Sequence, residues 1–169
     1  DRDLLQNPEW ERFESIGYNY RMGQLAAAVA LAQMEQNDFF IGLRRDSGLA
    51  YTKAILNSDL LTAQHVNPGY INTYYTFSAK FNGNQHGIKW EDFRKKYMEF
   101  GGDGIYSASK LIHQEPAFYN NSIGYGETPV AVDLQKKLMN FTTNQATEYE
   151  REIQITAMHK TLQYFGDHA

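Results

Sequence analysis

The 169-residue chain contains no cysteine. That excludes a disulfide framework, a zinc–thiolate site and a cysteine nucleophile, and it fits a reducing cytoplasm. Proline is scarce, at four residues, so little in the composition interrupts regular structure. No stretch approaches the ~20 apolar residues that a membrane helix needs. The longest apolar run, Leu25 to Ala32, is mostly alanine. An excess of positive charge is missing too: 16 Lys+Arg oppose 20 Asp+Glu, a net −4. That balance argues against broad electrostatic binding to nucleic acid or to an anionic membrane. No charged-then-apolar leader opens the chain, which starts Asp1-Arg2-Asp3 without an initiator methionine, so a preceding segment is expected. What is present is core material. Hydrophobic residues make up 42% and aromatics 14%, enough for one domain or a small domain with an appendage.

The first 22 residues are aromatic and polar without clean periodicity and read as a loop or arm. From Gln24 a helical pattern sets in: Leu25, Val29 and Ala32 share one stripe, and Leu31, Met34 and Ile41 lie on its neighbour. The pattern continues through Phe40, Leu43, Ala50 and Ala54 to about Asn57, with Gly42 and Gly48 as points for a bend or break. Unbroken, this helix over 23–57 would run ~50 Å at ~1.5 Å per residue. Asn67-Pro68-Gly69 is a turn signal, and the alternation from Ile71 to Phe81 predicts a strand burying Ile71, Thr73, Tyr75, Phe77, Ala79 and Phe81. Trp90, Phe93, Tyr97 and Phe100 predict a helix that stops at Gly101-Gly102. A second strand is expected over 104–109. Thr128-Pro129 opens a helix with a face of Val130, Leu134 and Leu138. Thr147 and Glu150 form a capping box ahead of a last helix that uses Ile153, Ala157, Met158, Leu162 and Phe165. The fold class is therefore α+β: a loop or arm over 1–22, a long connecting helix over 23–57, and a small domain over 58–169 with an antiparallel sheet flanked by helices.

Chemistry is hard to find in spacing alone. His65, His86, His113, His159 and His168 are scattered, without metal-ligand spacing. Gly101-Gly102-Asp103-Gly104 follows a helix instead of opening one after a strand, so it reads as a helix cap and turn and not as a phosphate loop. Asn120-Asn121-Ser122 and Asn140-Phe141-Thr142 match the glycosylation acceptor pattern by chance. No serine sits in a nucleophile-elbow context, and no pair of carboxylates stands out for acid–base work.

One region carries more. Gly17-Tyr18-Asn19-Tyr20-Arg21-Met22, followed by Leu25-Ala26-Ala27-Ala28 and Leu31-Ala32-Gln33-Met34-Glu35, closely resembles a signature of the DegT/DnrJ/EryC1/StrS sugar aminotransferases. The resemblance continues in order through Asn72 to Phe77, His113-Gln114-Glu115-Pro116-Ala117-Phe118, Pro129-Val130-Ala131 and the closing helix. It covers essentially the whole chain, and its first segment is the most specific. It implies the C-terminal half of a pyridoxal 5'-phosphate (PLP) enzyme of aspartate-aminotransferase fold. The implied parts are the end of the large domain, the connecting helix and the small domain.

The resemblance further implies a homodimer with a shared active site, a nucleotide-linked keto-sugar as substrate, an amino donor such as glutamate, and ping-pong chemistry. None of the nine lysines sits in the family's Schiff-base motif, so the chain is expected to be inactive alone. By the same resemblance Asn19 corresponds to the asparagine that reaches the cofactor phosphate of the opposite subunit. Arg21 would fork onto a donor carboxylate, Tyr18 and Tyr20 would flank the pocket, and His113 would stand near the sugar-nucleotide site. Each has a plainer reading. These are a turn-closing amide for Asn19, a surface ion pair for Arg21, packing on the helix for the tyrosines, and a satisfied ring before a turn for His113. Asn72 stands where the family often carries histidine, and Tyr106-Ser107-Ala108-Ser109 departs from its usual run, which leaves the sugar open. A dehydratase of the same family and a non-catalytic sugar- or partner-binding module are the alternatives.

Overall fold

The computed structural model describes residues 15–18, 20–107, 110–120 and 128–167. The chain divides into two compact units, Asp1–Asn37 and Asp38–Ala169.

In the first unit irregular segments over 15–18 and 20–23 precede α1 (Gln24–Glu35). Alanine and leucine make it a good helix former, yet none of its residues is buried. Leu25, Val29, Leu31 and Met34 all lie open on this chain. The single helix expected over 23–57 is interrupted. Gln36 leaves helical geometry at φ −109° and ψ 7°, and α2 (Asn37–Ala54) follows. The break falls at Gln36 and not at Gly42 or Gly48, which both lie inside α2. Asn and Asp compete with the helical backbone for hydrogen bonds, and Asp38 is well placed in a first turn.

The second unit is α+β, as expected. Its sheet has four antiparallel strands in the order β1-β2-β4-β3: β1 (Leu61–Ala63), β2 (Phe77–Phe81), β3 (Tyr106–Ser107) and β4 (Leu138–Phe141). The register sets Leu61 opposite Phe81, Ala79 opposite Met139 and Phe77 opposite Phe141, all six buried. On the other face Ser78 Oγ donates to Asn140 Oδ1 at 2.7 Å, so the glycosylation-like Asn140 is a sheet residue. Three helices contribute to the core: α2, α3 (Trp90–Glu99) and α6 (Glu148–Tyr164). Tyr51 from α2 stacks on Phe77 at 5.2 Å, and Tyr97 from α3 meets Phe141 edge-on at 5.5 Å. Each such buried ring stabilises the unit by roughly 1.5–3 kcal/mol. A one-turn helix α4 (Pro116–Tyr119) and α5 (Pro129–Gln135) complete the unit.

Several expectations are corrected. The strand expected from Ile71 begins only at Phe77. Tyr74 takes φ +49°, and its N–H donates to Asn72 Oδ1 at 2.9 Å, a local turn that interrupts the alternation. The parity changes with it: Ile71 and Tyr75 are exposed and Tyr74 is buried. Leu138, expected on a helix face, opens β4, because Lys136 and Lys137 turn the chain after α5. The Val130 face of α5 is exposed, and Ile153 on α6 is displaced from the core by Gln154. β3 is shorter than expected, with 108–109 outside the described residues. The Thr147 cap forms: its Oγ1 accepts from Glu150 N–H at 3.2 Å, while Glu150 Oε2 accepts from Ala146 N–H at 2.7 Å.

Candidate functional site

The sequence-selected residues fall in two places. In the first unit Tyr18, Tyr20, Arg21 and Met22 lie on the extended segment just ahead of α1 and are exposed. Asn19, between the two tyrosines, lies outside the described residues. The rings of Tyr18 and Tyr20 come together at 5.8 Å, tilted by 51°. Gly23 precedes α1 in extended geometry and offers no side-chain cap, and the first turn holds no acidic residue. Its leading N–H groups carry the positive end of the helix dipole.

His113 lies in the second unit, in a 3-10 turn over Ile112–Gln114 that feeds α4, and is half-buried. Glu115 and Pro116 set the end of that turn: Glu115 N–H donates to Ile112 O at 3.1 Å, and proline occupies the first position of α4.

Two arrangements in the second unit were not anticipated from the sequence. The first is built on Arg44 of α2. Its Nη1 donates to Tyr75 O at 3.0 Å and to Thr143 Oγ1 at 3.3 Å. Its guanidinium stands 5.4 Å over the Tyr75 ring. Thr143, buried just past β4, in turn donates from Oγ1 to Tyr74 O at 2.6 Å. Arg44 lies one helical step from the buried Ser47, Gly48 and Tyr51, and a cation on the inward stripe of a helix is the signal that could have found it.

The second is a chain of hydrogen bonds that runs from the core to the surface. Tyr51 and Tyr97 hydroxyls lie 3.2 Å apart, and Tyr97 Oη donates to Gln154 Oε1 at 2.8 Å. The same oxygen accepts from Asp103 N–H at 2.8 Å, and Asp103 Oδ2 accepts from Thr142 Oγ1 at 2.8 Å. Burial pushes both phenols well above the ordinary tyrosine range, so they stay protonated and act as fixed donors and acceptors, not as bases. A cleft of about 330 Å³ opens beside this network, between the Gly101–Asp103 turn and the start of α6. Among the described residues no three His, Asp or Glu side chains gather as a metal site.

The lysines test the fit of a cofactor that needs a covalent amine. Seven are exposed, and the half-buried Lys96 and Lys137 are paired with Glu99 and Asp133. Lys53 borders a cleft of about 400 Å³ with Arg151, Glu152 and His159, and no covalent step is assigned to any lysine of this chain.

The fold matches solved aminotransferases. An aminotransferase from Psychrobacter cryohalolentis superposes with a TM-score of 0.75 at 17% identity, over 95% of this chain and 44% of that one. A putative sugar aminotransferase, Spr1654 from Streptococcus pneumoniae, in its PMP form, gives 0.69 at 14% identity, over 98% of this chain and 42% of that one. In sequence, GDP-perosamine synthase of Escherichia coli O157:H7 is 30% identical over 146 residues, which are 83% of this chain and 36% of that protein. Residues 5–158 match the model of the DegT/DnrJ/EryC1/StrS aminotransferase family, and the chain belongs to that family. It spans well under half the length of these relatives.

Proposed function

We infer that the chain is the C-terminal portion of a PLP-dependent sugar aminotransferase that moves an amino group, from glutamate, onto a nucleotide-linked keto-sugar. The family match over residues 5–158 carries this reading. When bound, PLP would supply the electron sink for moving the amino group. The Schiff-base lysine is assigned to a part of the protein outside these residues, since none of the nine lysines sits in the family's motif.

The roles of this chain are to position and to bind. Asn19 is assigned to the cofactor phosphate of the opposite subunit of a homodimer, on the family match that spans it. Arg21 is assigned to a carboxylate of the donor, for which a planar fork is suited. Tyr20 would wall the same pocket, and His113 would contact the nucleotide-sugar. The compartment is the cytoplasm.

The visible absorption spectrum of the native protein tests the reading. A cofactor band abolished by borohydride is expected from the protein that carries this chain, together with amino transfer from glutamate. Absence of the band after added PLP overturns it.

A further inference from the structure

Arg44 is held in a way that leaves half of its guanidinium unused. Its Nη1 is committed to Tyr75 O and Thr143 Oγ1, and the plane is steadied over the Tyr75 ring. Among the described residues the remaining edge, Nε–H with Nη2–H, makes no hydrogen bond, and no carboxylate lies within ion-pair distance. That edge is the one whose two parallel N–H bonds match the two oxygens of a carboxylate. Arg44 borders a cleft of about 200 Å³ whose other walls are Tyr75, Thr76, Thr142, Thr143 and Asn144. Apart from Arg44 the cleft is neutral at pH 7. It offers hydroxyls, an amide and one exposed aromatic ring.

We propose that Arg44 is the anion-binding residue of a carboxylate subsite for a small organic acid. The anchoring has a physical consequence. A free arginine loses side-chain entropy when it grips an anion, whereas Arg44 is already fixed by two acceptors and a ring, so little further ordering is needed. One fixed cation suits a monoanionic group, and the volume accommodates a carboxylate with a few carbons, at about 30 Å³ for a water-sized group. The hydroxyl of Thr76 is open to a polar substituent on the acid, and the Tyr75 ring to its carbon chain, while Thr142 Oγ1 is already bound to Asp103 Oδ2. The assignment rests on this geometry alone and is independent of the transamination reading.

The test uses propionate, which carries no amino group, on the protein containing this chain, with propionamide and chloride as controls at equal ionic strength. The Arg44 Nε–H resonance is followed by NMR. It should shift in a saturable way with propionate and stay in place with propionamide and chloride. Arg44→Lys, which keeps the charge and loses the fork, should weaken binding at least about tenfold. Thr76→Val, which leaves the Arg44 anchor intact, shows whether the cleft is occupied and should weaken acids that bear a hydroxyl, such as lactate, more than propionate. Equal shifts with chloride, an unmoved Arg44 resonance, or Arg44→Lys binding propionate as well as the parent would each overturn the proposal. Tighter binding of inorganic phosphate than of any carboxylate would overturn the assignment of the ligand class.

Discussion

The ring of Tyr74 lies directly on Gly48, so that a Cβ built on the glycine would overlap the ring carbons nearest the Tyr74 backbone. The close approach lets the turn before β2 settle on α2, and Tyr74 reaches it with φ +49°, a conformation few non-glycine residues adopt. These carbons belong to the root of the ring, not to a flexible tip, so they cannot swing aside.

Gly48→Ala is therefore expected to destabilise the unit by about 1–3 kcal/mol, although alanine is the better helix former. A lowered midpoint in urea unfolding checks this. An unchanged or raised midpoint would show that helix propensity outweighs the clash.

Gln154 is 5% exposed, and its Oε1 accepts from both Tyr97 Oη and Asp103 N–H. Gln154→Leu fills similar volume but strands two donors, at about 1–3 kcal/mol for each group left unsatisfied. Denaturant unfolding should register a loss in that range, and Asp103 N–H should lose protection against hydrogen exchange.

The buried phenols give the unit an alkaline weakness. Burial, as the main cause, raises both Tyr51 and Tyr97 above the ordinary value of 10. In the unfolded chain the same groups ionise near that value. Above about pH 10 the unfolded state therefore binds fewer protons than the folded state, and stability falls as pH rises. Below pH 10 the contribution is constant. The unfolding free energy measured from pH 8 to 11 should decline beyond pH 10, and Tyr97→Phe should make that decline shallower.

Asn19→Ala tests the shared-site assignment in the protein that carries this chain. Loss of a hydrogen bond to a charged phosphate is worth about 1.5–3 kcal/mol, or roughly 10- to 150-fold in cofactor affinity. Cofactor retention should drop on dialysis while the dimer persists in sedimentation. Full retention would remove Asn19 from the phosphate site.

Much of the second unit could be read from local pattern. Phe93 and Tyr97 are buried on one stripe of α3, Gly101 ends that helix at φ +94°, and Thr147 caps α6 as its spacing implies. What could not be read came from contacts made at a distance. The alternation Ile71–Phe81 is a valid strand pattern, but its first half is overruled by the Asn72–Tyr74 turn and by Gly48, 26 positions earlier in the chain. Leu138–Phe141 is too short for periodicity to separate strand from helix, and pairing with β2 decides it. The same holds for function. Segment 17–22 stood out through a family resemblance, whereas Arg44 acquires its partners Tyr75 and Thr143 only when the chain folds.

Asp167, just after α6, accepts from Ser58 Oγ at 2.6 Å and from Leu60 N–H at 3.1 Å, closing a span of 109 positions. On the ribosome this clasp cannot form until nearly the whole second unit has emerged from the exit tunnel. The same delay applies to β2, which waits some 60 residues for β4. Phe77 and Phe81 therefore spend the period of their own synthesis with β1 on one side but without β4 on the other. The unit is committed to closing late and as one piece, with its aromatic strand in need of shelter from neighbouring nascent chains until it does.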